Sequence, residues 1–145
     1  MLKPRPDQLG VGTFQLTPHA EKYVSQVLRS GRLSYGPFSR RFEREFAQRH
    51  GCSYAVLVNS GTSALSIAVA CLKEIGGWKD GDEVLVPALT FVATANVILE
   101  HNLTPVFVDC DPKTYNVDSA KIEEKITART EAAIRSLKVW LERVR

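Results

Sequence analysis

"VLVNSGTSAL", residues 56–65, joins a β-branched apolar run to a helical pattern through Asn-Ser-Gly-Thr-Ser. Tyr54 to Val58 reads as a short strand, and Thr62 to Ile75 reads as a helix with Ala64, Leu65, Ala68, Cys71 and Leu72 along one side. A strand that turns at once into a helix puts the helix N-terminus at the strand's carboxyl end. The first-turn N–H groups have no intrahelical partner there, and the aligned peptide dipoles carry about half a positive charge. Such a turn suits an anion, with the amides of Gly61, Thr62 and Ser63 and the hydroxyls of Ser60, Thr62 and Ser63 as donors. The same residues also describe a plain helix cap, in which Ser60 accepts from its own first turn. On the turn alone both readings stand.

The strand-then-helix pattern recurs on the carboxyl side. "EVLVP" reads as a strand followed by a helix over Thr90 to His101, with Phe91, Ala95, Ile98 and Leu99 on one face. "TPVFVD" gives another strand, and Asp118 caps a helix through "SAKIEEKI". Upstream, Thr17-Pro18 opens a helix that stops at Gly31, and "FSRRFEREFAQRHG" spaces Phe38, Phe42, Phe46 and Ala47 as a helix ending at Gly51, its aromatics read as core. Alternating strands and helices imply an α/β fold with a mostly parallel sheet flanked by helices. Ligands in such sheets sit beyond the carboxyl ends of the strands, where the Asn59 turn, the Pro87-to-Phe91 turn and Asp109 all fall.

Other phosphate and nucleophile motifs fail. No Lys follows Gly61 as a P-loop requires, the Gly10-Val-Gly12 stretch lacks the third glycine of a dinucleotide fingerprint, and Leu65 stands where a nucleophile elbow around Ser63 needs Gly. At 145 residues, with 44% hydrophobic and 24% charged, the chain suits one compact domain. The net charge of +3 equals the excess of seven Lys/Arg over four Asp/Glu within residues 121–145, which reads as a solvated helix face and not as a nucleic-acid stripe. Three widely spaced cysteines, without C-x-x-C spacing, imply a reduced, cytoplasmic setting and no metal knuckle. The N-terminus lacks the apolar region of a secretory signal, and the apolar window Val84 to Leu99 falls short of a membrane span.

Four stretches in order, "SGRLSYGPFSRRFEREFA", "NSGTSAL", "GDEVLVPALTFVATANVIL" and "PVFVDCDPKTYNVD", resemble the DegT/DnrJ family of pyridoxal-phosphate (PLP) sugar aminotransferases, from about Thr17 to Thr130. The resemblance implies the N-terminal part of the aspartate-aminotransferase-type PLP fold, with active sites at a homodimer interface, a nucleotide-linked keto-sugar as substrate and an amino acid as amino donor. By position it assigns Ser60, Gly61, Thr62 and Ser63 to the cofactor phosphate and Phe91 to the face of the pyridine ring. Tyr35, Gly36 and Pro37 match a segment lining the sugar side. Asp109 is set aside as the pyridine-nitrogen carboxylate, because the family carries that residue on a later strand, and is read as organising its own loop.

The resemblance also exposes a departure. Transamination needs a lysine that bonds to the cofactor's aldehyde and shuttles protons. None of Lys3, Lys22, Lys73, Lys79, Lys113, Lys121, Lys125 and Lys138 stands in the family's lysine context, so no catalytic residue is assigned. Residues 1–130 are thus read as the N-terminal part of an aminotransferase domain, truncated and inactive alone or completed by a second chain. The alternative is a non-enzymatic remnant that binds phosphate or PLP. Residues 131–145 diverge from the family and are read as an amphipathic helix with Ile134, Leu137, Trp140, Leu141 and Val144 in one stripe.

Overall fold

The computed structural model describes residues 16–134, 141 and 142. The chain forms two compact units, divided between Leu57 and Val58.

The first unit holds two helices, α1 (Pro18–Arg29) and α2 (Pro37–Arg49). Thr17 caps α1 as its sequence predicts, its hydroxyl accepting from Ala20 N–H at 3.2 Å ahead of Pro18. The Tyr23 and Phe38 rings meet edge to face at 5.6 Å, and the Arg41 guanidinium lies over Tyr23. Phe38, Phe42 and Phe46 do not form the expected core. They are exposed, as are Val24 and Leu28, and Ala47 is the one buried hydrophobic residue described in this unit. The helical spacing is real, but among the described residues of this unit no third layer closes over the stripe.

The second unit contains α3 (Gly61–Gly76), β1 (Glu83–Pro87), α4 (Ala93–Glu100), β2 (Thr104–Val108), α5 (Ser119–Lys125), β3 (Thr130–Ile134) and β4 (Leu141–Glu142). The sheet order is β2-β1-β3-β4, with β1 parallel to both neighbours and β4 antiparallel to β3, as the α/β reading requires. All five residues of β1 are buried, which is why Val84 to Pro87 read as a continuous apolar run behind Glu83. Its side chains alternate between faces. Val84 and Val86 pack with Val69 of α3, Val97 and Ile98 of α4, Leu103 and Ala132; Leu85 packs on the other side with Val108, Ala133 and Ile122 of α5.

Four local expectations change. Residues 54–58 form no strand: Tyr54 is 89% and Val56 73% exposed, and the run has no ladder partner among the described residues. On α3 the inward row runs through Leu65 and Val69, so Cys71 faces out. Helix α4 begins at Ala93 and buries Ala93, Thr94, Val97 and Ile98, leaving Leu99 exposed. Finally, residues 130–134 and 141–142 are strands where a C-terminal helix was expected from 131. The free edge of β1 explains the first of these, because Ala132 and Ala133 pair with Val84 and Leu85 and bury one methyl on each face. Leu137, Trp140 and Val144 of the expected stripe lie outside the described residues.

Candidate functional site

The two ends of β1 define two edges of the sheet. At the amino edge, Glu83 is buried and its carboxylate accepts from Thr127 Oγ1 at 2.6 Å, Arg129 Nη2 at 2.6 Å and Thr130 Oγ1 at 3.4 Å. Led by the Thr127 hydrogen bond, these partners hold the carboxyl below its ordinary pKa against the opposing effect of burial. Lys73 of α3 donates at the same edge to Asp80 and to the His101 carbonyl, at 2.5 and 2.7 Å. Ser66 and His101 add a 3.0 Å contact between α3 and the end of α4. Sequence reading passed over Glu83, although a carboxylate opening an apolar strand was the available signal.

From the Lys73 end, α3 extends about 22 Å to its N-terminus. Its Leu65 and Val69 pack on the cluster that holds Val84 and Val86 of β1, and β1 leads at its carboxyl end toward Phe91. Ser60 is the N-cap, in extended conformation, and its Oγ accepts from Ser63 N–H at 3.1 Å. Ser63 Oγ lies 3.0 Å from Ser60 Oγ and donates to Asn59 Oδ1 at 2.7 Å. The cap reading is thus realised, but it occupies only part of the turn. No hydrogen-bond partner is described for the Gly61 and Thr62 amides, and both residues are exposed.

Gly61 is not needed by the backbone, since its φ is not positive, nor by packing, since an added Cβ would meet nothing within 4 Å. Gly76 at the other end of the same helix is the opposite case, because a Cβ there would collide with the Trp78 ring at Nε1. A glycine that neither turn nor neighbour demands leaves its amide open to a close approach from outside.

Phe91 is 62% exposed, and no aromatic partner is described for it. No hydrogen bond is described between it and the Ser60–Ser63 turn. At the end of β2, the Asp109 carbonyl accepts from Asp118 N–H at 3.0 Å and its carboxylate pairs with Lys121 at 3.2 Å, which makes it a loop-organising residue as expected. In the first unit, Tyr35 donates to Glu43 at 2.5 Å, Gly36 is the N-cap of α2 and Pro37 its first residue. Glu43 also accepts from Leu57 N–H at 2.8 Å, and that bond, followed by Tyr35, holds its carboxyl below the ordinary value. The Tyr35 hydroxyl is therefore engaged within its own unit.

The model of the DegT/DnrJ/EryC1/StrS aminotransferase family matches residues 15–137. The chain belongs to this family. It is 47% identical over 111 residues to the spore coat polysaccharide biosynthesis protein SpsC of Bacillus subtilis, covering 77% of this chain and 28% of that protein. GDP-perosamine synthase of Caulobacter vibrioides is 39% identical over 126 residues, covering 86% of this chain and 33% of the synthase. Among solved structures, the E. coli GDP-4-keto-6-deoxy-D-mannose-3-dehydratase with bound hydrated PLP superposes with a TM-score of 0.78 at 30% identity, over 85% of this chain and 32% of that one. This DegT/DnrJ chain thus spans about a third or less of the length of the relatives it matches. Among its described residues, no helix is long and apolar enough to cross a membrane.

Proposed function

We propose that this chain carries the phosphate-binding and ring-facing part of a PLP-dependent site acting on nucleotide-linked keto-sugars in amino-sugar biosynthesis. The observation that carries the reading is the pair of exposed amides at Gly61 and Thr62, which have no hydrogen-bond partner among the described residues, at the N-terminus of a 16-residue helix. They suit a phosphate monoester, with the Thr62 hydroxyl as a further donor. Ser60 and Ser63 then act from beneath, their mutual hydrogen bonds holding the turn in shape. Phe91 offers an exposed flat face to an electron-poor ring. When bound, PLP supplies an electron sink for charge developing on a substrate carbon.

No lysine of this chain stands in the family's lysine context, and two of them, Lys73 and Lys121, are engaged in ion pairs. Lys73 is engaged with Asp80 and the His101 carbonyl. The hydrogen bond and charge of Asp109 raise the Lys121 pKa, which keeps that amine protonated and poorly nucleophilic. We therefore read the chain as inactive in transamination on its own. Titration with PLP should show binding that inorganic phosphate competes away, and borohydride treatment of the mixture should label no lysine stoichiometrically. Absence of phosphate-sensitive binding would remove the phosphate site, whereas one fully labelled lysine, mapped by mass spectrometry, would overturn the assignment of inactivity.

A further inference from the structure

An exposed aromatic ring gains little positional restraint from packing, so its place depends on the backbone that carries it. Phe91 is such a ring, and the helix that follows begins without a conventional cap: Val92 occupies the N-cap position in helical conformation with no side-chain hydrogen bond. Thr94 restrains the segment instead. Its N–H donates to the Phe91 carbonyl at 2.9 Å, and its Oγ1 lies 2.9 Å from Thr90 Oγ1. One residue thereby fastens Phe91 itself and the residue before it. Thr94 is only 3% exposed, and the far end of the segment is pinned where Ala88 N–H donates to the Val108 carbonyl at 2.8 Å.

We propose that Thr94 is a positioning residue whose buried hydroxyl, through Thr90, holds the Phe91 ring ready to stack on the planar heteroaromatic ring of the cofactor. The inference rests on the site reading given above. Threonine hydroxyls in a helix's first turn commonly bond back to the preceding segment, and a face held in place before binding spares the cost of ordering it afterwards. Replacing the hydroxyl by a methyl keeps the shape of Thr94 but leaves the Thr90 hydroxyl without its partner.

The test compares Thr94→Val and Thr94→Ser in the 145-residue chain. PLP affinity and the circular dichroism induced in its absorption band report on stacking, inorganic phosphate affinity reports on the turn, and the 15N order parameter of the Phe91 amide reports on positioning without any ligand. Thr94→Val should weaken PLP binding about fivefold, diminish the induced signal and lower Phe91 order, with phosphate affinity unchanged. Thr94→Ser should restore all three. Wild-type PLP affinity and Phe91 order in Thr94→Val would overturn the proposal, as would a Thr94→Ser variant as weak as the valine, which would assign the effect to methyl packing. If the wild-type chain binds no PLP, the site reading fails separately, and the order parameters alone decide whether Thr94 positions Phe91.

Discussion

The two edges of one sheet are built on opposite principles. At the amino edge, Glu83 is buried and met by Thr127, Arg129 and Thr130, while Lys73 joins Asp80 to the end of α4. Beyond the carboxyl end of β1, Phe91 is exposed, and at the α3 N-terminus the Gly61 and Thr62 amides have no described partners. A buried charge must be satisfied internally, so its end of the fold closes; an end that holds a ligand must leave donors and a ring face unsatisfied until the ligand arrives. The contrast separates the residues that keep the sheet together from those available for chemistry.

The strongest way to break the contrast is to remove what both edges depend on. Leu85→Ala, in the middle of β1, should cost the second unit about 3 kcal/mol and loosen both edges together, as read by denaturant unfolding with hydrogen exchange of the β1 amides. Loss of protection at only one edge would show that the edges are stabilised independently.

A more selective test is Gly61→Val. An added Cβ meets nothing, so the variant should keep the unfolding midpoint within experimental scatter while its side chain occupies the approach to the amides. We expect PLP and phosphate affinity to fall about tenfold or more. A folded variant with unchanged affinity would mean that the carboxyl edge takes its anion elsewhere.

The smallest effect is expected at Glu83. Its pKa is lower folded than unfolded, so its carboxylate contributes stability fully above the unfolded value of about 4.3, and that contribution is lost as pH falls through the lowered folded value. Glu43, Glu45 and Asp111 are held low as well and share the acid limb of the stability curve. The difference between wild type and Glu83→Gln isolates the Glu83 share: the variant should start less stable at neutral pH and lose less on acidification. Parallel curves for the two proteins would remove Glu83 from the account of that edge.

Features governed by local chemistry were legible in the sequence. The Thr17 and Asp118 caps, the buried run of β1 and the parallel order follow from short-range patterns, and the structure retains them. What escaped depends on distant partners. Residues 54–58 carry strand composition but lack a ladder, and Thr130–Ile134 carries little strand signal yet is drawn into the sheet by the free edge of β1. The turn at Ser60 was legible as either a cap or an anion site, and both descriptions prove compatible: the cap uses the Ser63 amide and leaves Gly61 and Thr62. The tie between Thr90 and Thr94 was invisible as chemistry, because two threonines four residues apart look like ordinary helix surface until one of them is buried.

The partners of Glu83 also bear on how the chain is made. They lie 44 to 47 residues further along, so a nascent chain that has emerged only through α4 and β2 has the central strand but not the groups that neutralise its first carboxylate. Closing so long a loop carries an entropic cost that short-range helix formation does not. The carboxylate that opens the central strand is therefore neutralised by long-range closure and not by its own neighbourhood, so the amino edge is complete only once Thr127 to Thr130 have joined it.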